Sequence, residues 1–257
     1  MSDALLEVKN VSIAFGGLKA VQSFSLLLPP GGLYGLIGPN GAGKTTAFNL
    51  LTGVYRPQTG EIRLAGKRMD GRKPYRIAKS GLARTFQNIR LFNELSVLDN
   101  VKLGCQAKHH HGVFSTMFRS GRWVKSERQI TAQAMQLLDV FDLRSRALEP
   151  ARNLSYGDQR RLEIARALGT QPKVLLLDEP AAGMNPHEKI ELMELIHLIR
   201  DRFRLAILLI EHDMKLVMSI CQQVTVLDHG EIIACGSPGE VKSNPKVIEA
   251  YLGEASA

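Results

Sequence analysis

The stretch LYGLIGPNGAGKTTAFNLLTG, residues 33–53, decides the fold. Leu33–Ile37 is a short apolar run that predicts a buried strand, and Lys44–Thr52 predicts a helix ended by Gly53. Between them, Gly38-Pro39-Asn40-Gly41-Ala42-Gly43-Lys44-Thr45 fits G-x-x-x-x-G-K-[ST]. Glycines at these spacings let backbone N–H groups turn inward around phosphate oxygens, and the helix N-terminus adds partial positive charge. Lys44 is placed to bridge the β- and γ-phosphates, and the Thr45 hydroxyl to coordinate Mg²⁺. Gly38 to Thr45, with Thr46 behind them, form the candidate nucleotide-binding set. A plain glycine-rich turn is the alternative, and the strand–loop–helix context argues against it. The motif alone leaves kinase, GTPase, helicase and transporter ATPase open.

A second stretch, Val174-Leu175-Leu176-Leu177-Asp178-Glu179, narrows the choice. Four apolar residues predict a fully buried strand, with two carboxylates at its C-terminal end, where open α/β sheets place their ligands. Asp178 is the candidate to hold Mg²⁺ through its water shell. Glu179 is the candidate general base, orienting and polarising the attacking water. Pro180 ends the strand immediately, which argues against a surface acidic pair.

Outward from these stretches the pattern is α/β. Leu6–Ile13 and Glu61–Leu64 predict strands, 29–32 a turn, and Gly66–Lys73 a basic turn. From about Asn88 to Asn153 the periodicity is helical, with Ile130, Ala134, Leu137, Leu138 and Phe141 on one face. Ser155–Leu168 predicts a helix with Ser155 as N-cap and Leu162, Ala165 and Leu168 as its buried stripe. Glu188–Arg200 predicts a helix, Leu205–Ile210 a strand, and Gln223–Asp228 with Glu231–Ala234 a hairpin about His229-Gly230. A short helix near Pro245–Leu252 follows. The expectation is a parallel α/β core interrupted by a helical subdomain.

The 257 residues carry 33 Lys+Arg against 25 Asp+Glu, a net charge of +8, with 44% hydrophobic residues. That length can bury a core without disulfides or metal. No window approaches a membrane span, and the start MSDALLEVKN predicts no secretion signal. Cys105, Cys221 and Cys235 match no zinc or disulfide framework and predict free thiols. His109-His110-His111, with no Cys or carboxylate at metal spacing, predicts a solvated loop. A basic chain raises nucleic acid, an anionic membrane surface or a generally solvated surface as alternatives.

Leu154-Ser155-Tyr156-Gly157-Asp158-Gln159, standing between a P-loop and a D-E strand, resembles the signature motif of ABC-type ATPases. Gln87 after Arg84-Thr85-Phe86 is similar to that family's Q-loop, His212 to its switch histidine, Ala182-Gly183-Met184-Asn185 to its D-loop, and Phe15 to its adenine-stacking aromatic. The resemblance implies a P-loop NTPase with a RecA-like parallel-sheet core, an N-terminal antiparallel β subdomain and an inserted helical subdomain. It implies one ABC ATPase domain over 1–257, with the nucleotide-binding core and β subdomain in 1–87 and 154–257. The helical subdomain then falls in 88–153, with a basic insertion at about 104–126. It implies ATP and Mg²⁺ as cofactors, with Thr45, Gln87 and Asp178 at the metal and Glu179, His212, Lys44 and Gln87 as the catalytic set. In that family two subunits close head to tail, so Ser155 and Gly157 would serve the partner's nucleotide. His212 would hold the γ-phosphate and Gln87 would link the metal site to a membrane subunit.

The segments 83–92, 154–166, 178–186, 210–214 and 247–253 resemble one group within the family, the LivG-type ATPase subunits of bacterial branched-chain amino-acid importers. That resemblance implies an ATPase at the cytoplasmic face of the bacterial inner membrane, peripheral to it. Its implied partners are a second ATPase subunit in a heterodimer or homodimer, two permeases and an extracytoplasmic solute-binding protein, with no nucleic acid. Related systems carry amides or urea, so another small solute stays open, as does a non-transport ATPase acting on nucleic acid. Three residues depart from the commonest motifs: Tyr156 and Asp158 in the signature, and Asn185 in the D-loop. The charge is concentrated, with +8 over 62–92, +4 over 104–128 and −4 elsewhere. This predicts a docking face toward anionic headgroups or acidic permease loops.

Overall fold

The computed structural model describes residues 4–107 and 121–254, with side chains described except at 121–123 and 252–254. The His109–His111 triplet and most of the basic insertion lie outside the described residues. The chain divides into two compact units, one of Met1–Arg84 with Lys173–Ala257, the other Thr85–Pro172.

The first unit holds two sheets. One is antiparallel, with strands β1 (Leu6–Phe15), β2 (Leu18–Leu28), β4 (Thr59–Leu64) and β5 (Lys67–Arg68) in the order β2-β1-β4-β5. The other is six-stranded. Its strands are β3 (Leu33–Ile37), β6 (Leu82–Arg84), β7 (Val174–Asp178), β8 (Ala206–Ile210), β9 (Gln223–Asp228) and β10 (Glu231–Gly236), in the order β10-β9-β3-β8-β7-β6. β6, β7, β8, β3 and β9 run parallel, and β10 returns antiparallel. Every residue of β7 and β8 is buried, as strands covered on both faces require. Helix α1 (Lys44–Leu51) presents Ala47, Phe48 and Leu51 to a core shared with Leu6, Phe24 and Ile62 of the antiparallel sheet and with Leu176 and Leu208 of the parallel one. The parallel core and the antiparallel N-terminal sheet are those expected from the sequence.

Strand β2 has no counterpart in the sequence-based expectation. Its alternation is broken by Gln22-Ser23, Ser23 has φ 46, and the β1–β2 ladder shifts register three times, so no clean period-2 signal survives. β6 is three residues long, too short to carry a period. Beyond the basic turn, Pro74 opens helix α2 (Pro74–Lys79), using a position where a missing N–H costs nothing.

The second unit is helical, with α3 (Val97–Gln106), α4 (Gly121–Val140) and α5 (Tyr156–Gly169). The predicted face Ile130, Ala134, Leu137, Leu138 and Phe141 is buried, as is the α5 stripe Leu162, Ala165 and Leu168. α5 is capped by Ser155, whose hydroxyl oxygen accepts the Asp158 N–H at 3.2 Å. The first unit ends with α6 (Pro186–Phe203), α7 (Met214–Ile220), α8 (Pro238–Lys242) and α9 (Pro245–Glu254).

Candidate nucleotide site

The site follows from the strand order β7-β8-β3. Parallel neighbours bring their C-terminal ends to one edge, so Asp178-Glu179, Glu211-His212 and the loop after Ile37 lie side by side. Asp178 pairs with Ile210, and the Glu179 N–H donates to the Ile210 carbonyl at 2.9 Å.

The loop is shaped by close backbone approach. Gly38 has φ 152, and a Cβ there would overlap the Leu227 carbonyl oxygen. Gly43 has φ 101, and a Cβ would meet the carbonyl of Ala20. The Gly230 N–H, in the β9–β10 turn, donates to the Ala42 carbonyl at 3.0 Å. Lys44 is buried, and its ammonium donates to the Gly38 and Pro39 carbonyls at 2.6 and 2.7 Å. Thr45, Asn40 and Gly41 are exposed. The loop thus presents open backbone and a threonine hydroxyl over a lysine held beneath it.

Asp178 is buried and ion-paired to Arg84 Nη2 at 2.6 Å, while Arg84 Nη1 donates to Asn49 Oδ1 at 2.7 Å. Asn49 lies on α1 one turn after Thr45, on the same helix face. Arg84 therefore ties the end of β7 to the helix that starts at Lys44. Sequence reasoning missed Arg84 and Asn49, since only the fold brings them together. Asp178→Ala leaves the Arg84 guanidinium buried without that counter-charge, at an expected cost of about 3–5 kcal/mol in denaturant unfolding. Arg84→Met/Asp178→Leu, which removes both charges, should lose less. A single-variant loss in the range of exposed pairs, about 1 kcal/mol or less, would show that the tie contributes nothing.

Glu179 adopts φ 46, a left-handed backbone that costs a non-glycine residue about 1–2 kcal/mol. Its carboxylate stands 3.8 Å from His212 Nδ1, beyond a hydrogen bond. The preceding Glu211 is buried; its carboxylate accepts the N–H groups of Ala181 at 2.8 Å and of His212 at 3.2 Å. Burial pushes the Glu211 carboxyl above its ordinary range, opposed by the Ala181 N–H and by His212. Glu211 thus joins the backbone after Glu179 to the histidine strand end. A charged residue closing the apolar run Leu205–Ile210 is the sequence signal that marks it.

Phe15 closes β1 with 44% of its surface exposed and packs edge-on against Tyr55, ring centroids 5.1 Å apart. Asn185 accepts the Glu188 N–H at 3.0 Å while the Glu188 carboxylate accepts the Asn185 N–H at 2.9 Å. This capping box explains why asparagine serves there, since Asn and Asp cap equally well.

The strand order therefore gathers the phosphate loop, Asp178, Glu179 and His212 at one sheet edge, and Phe15 lies elsewhere in the same unit, at the end of β1. Gln87, Ser155 and Gly157 belong to the second unit. There Gln87 is exposed, and Ser155 also donates its hydroxyl to Asp158 at 2.9 Å. Asp158 in turn pairs with Arg146 at 3.0 Å. Among the described residues no three His, Cys, Asp or Glu gather as metal ligands. One hydroxyl and one carboxylate, Thr45 and Asp178, fit a Mg²⁺ that takes its remaining oxygens from phosphate and water.

Of the nine basic residues over 62–92, Arg63 and Arg68 pair with Glu61 and Asp70. Arg84 is buried on Asp178, and Arg90 stacks over the Phe86 ring at 4.1 Å. Lys67, Arg72, Lys73, Arg76 and Lys79 are exposed.

Comparison with known proteins identifies the family. A family model described as "ABC transporter" matches residues 21–182, and one described as "Branched-chain amino acid ATP-binding cassette transporter" matches residues 231–257. The chain is 46% identical to the high-affinity branched-chain amino acid transport ATP-binding protein LivG of Escherichia coli K12, over 99% of this chain and 100% of that protein. It is 45% identical to the corresponding protein BraF of Pseudomonas aeruginosa, again over 99% and 100%. Among solved structures, the ADP conformation of MJ1267, an ATP-binding cassette of an ABC transporter, matches with a TM-score of 0.85. That match has 30% identity and covers 97% of this chain and 99% of the other. The chain belongs to the ABC transporter family, among its ATP-binding cassettes.

Proposed function

We propose that this chain is the ATP-hydrolysing, energy-coupling subunit of an importer for branched-chain amino acids. The observation that carries the reading is end-to-end identity of 46% to LivG, together with the C-terminal match over 231–257. ATP is seated with its phosphates on the backbone of Gly38, Pro39, Asn40, Gly41, Ala42 and Gly43 and its base against Phe15. Lys44 releases the Gly38 and Pro39 carbonyls and turns to the β- and γ-phosphates, with Thr46 behind it. Thr45 and Asp178 would hold Mg²⁺, which would neutralise the charge that develops on the phosphate oxygens. Glu179 accepts the proton of the attacking water, and His212, which is exposed, contacts the γ-phosphate. Ser155 and Gly157, at the exposed start of α5, serve the nucleotide of a second ATPase subunit. Closure on the γ-phosphate and release after hydrolysis give a two-state device for transport.

The assembly we propose pairs this chain with a second ATPase, most simply a similar but distinct one, on two permeases served by an extracytoplasmic solute-binding protein. In this reading the chain lies peripherally at the cytoplasmic face of the inner membrane; no helix among the described residues is long and apolar enough to cross a membrane. Lys67, Arg72, Lys73, Arg76 and Lys79 supply its basic face there. The test is purification of the tagged chain from membranes. Two permeases and a second ATPase should come with it, and leucine-loaded binding protein should stimulate ATP hydrolysis of the reconstituted complex. Recovery with ribosomes or nucleic acid and no permease would overturn the reading; stimulation by an amide or urea and not by leucine would overturn the substrate.

A further inference from the structure

The segment between Arg84 and Ser96 forms neither helix nor strand, yet it carries Gln87. Part of what holds its main chain comes from two charged side chains of α5. Arg160 Nη1 donates to the Phe86 carbonyl at 2.6 Å, and Nη2 to the Gln87 carbonyl at 2.7 Å. The Glu163 carboxylate accepts the N–H groups of Phe86 at 3.4 Å and Arg90 at 3.3 Å. The two side chains are themselves paired at 2.7 Å and both are fully buried.

Such a pair is a poor means of stabilising a helix bundle. Apolar residues of similar volume in its place are commonly neutral or stabilising. Arg160 also keeps its Nε–H buried with no hydrogen-bond acceptor, a cost of about 1–3 kcal/mol that an apolar side chain would avoid. Burial pushes the Glu163 carboxyl up, opposed first by Arg160 and then by the Arg90 and Phe86 N–H groups. What the pair does supply is geometry: a rigid fork reading two successive carbonyls, and a carboxylate reading the N–H groups on either side of Gln87. Tyr156, which stands where the commonest signature has glycine, extends the arrangement. Its hydroxyl accepts from Arg160 Nη2 at 3.3 Å, and the guanidinium lies 5.9 Å from its ring.

We propose that Arg160 and Glu163 are positioning residues that fix the Gln87 backbone to the helix carrying Ser155 and Gly157, so that these groups move as one body during ATP turnover. The proposal rests on the function proposed above. It accounts for Tyr156, a departure from the commonest motif that reading the sequence left unexplained.

The test uses the full chain assembled with its partner subunits. Arg160→Met/Glu163→Leu removes both charges together and so avoids the isolated buried charge that either single change would leave. Deuterium exchange in the peptide spanning Phe86–Arg90 should accelerate by about tenfold or more. Loss of positioning should lower kcat by about 10²-fold with KM for ATP within about threefold. Faster exchange with an unchanged kcat would reduce the pair to a structural role, and unchanged exchange would show that it does not hold the segment; either result overturns the proposal. If the double variant does not fold, Arg160→Lys decides. It keeps the charge without the fork, so faster exchange and lower kcat at wild-type KM are expected, and wild-type values would overturn the proposal. Absence of ATP hydrolysis by the unsubstituted assembly would instead sink the functional reading.

Discussion

Glu179→Gln should lower the rate of ATP hydrolysis by about 10³-fold while leaving ATP affinity within about threefold of wild type. Glutamine keeps the size and hydrogen-bonding reach of the side chain but cannot take a proton. The strand end is undisturbed by the change, because the 179 N–H bonds the Ile210 carbonyl whichever side chain is present. The backbone at this position is left-handed, φ 46, and the substitution does not change that. The nucleotide should therefore still bind, and ATP should hold two cassettes closed in a complex visible by size-exclusion chromatography. Single-turnover hydrolysis and fluorescent-nucleotide titration measure the two arms. Near-normal hydrolysis would remove Glu179 from the role of base.

The other large effect belongs to Gly38→Ala. Here the obstacle is a main-chain carbonyl, that of Leu227, which cannot rotate aside as a flexible side chain can. Together with φ 152, this sets an expected loss of about 3 kcal/mol in unfolding free energy. Relief requires the loop to lift from β9, which displaces the two carbonyls that hold Lys44 and the amides meant for phosphate. ATP affinity should fall by about tenfold or more, in line with a misplaced set of charge-assisted contacts. Thermal unfolding with and without nucleotide tests both parts. A variant with wild-type stability and nucleotide response would show that the Leu227 contact does not shape the loop.

These two residues illustrate what could be read in advance. Gly38 and Glu179 stand in runs whose chemistry is local: the spacing of glycines, a lysine and a threonine after an apolar run, or two carboxylates after four aliphatic residues. Such runs specify their strand, loop and helix without help from distant residues. Arg84 is the opposite case. Nothing within several positions of it signals that it will bury its guanidinium between Asn49 and Asp178, 35 and 94 residues away in sequence. Arg160 and Glu163 sit on the same side of α5 as apolar neighbours, a charged interruption of a buried stripe that could have been noticed. Their targets are main-chain groups of an irregular segment, which no periodicity marks as a partner for that helix. β2 was hidden for a different reason, its bulges erasing the alternation on which strand recognition depends.

The three cysteines have a consequence for how such motions could be watched. Burial pushes the Cys105 thiol up to about 11 and the Cys221 thiol up to about 12, so neither offers a reactive thiolate at neutral pH. Cys235 is exposed on β10, five residues beyond the Gly230 whose N–H bonds Ala42 of the phosphate loop. A maleimide dye added to the unmodified protein is thus directed to one address, on the hairpin that rests against the nucleotide loop. The native sequence comes already prepared for single-site labelling.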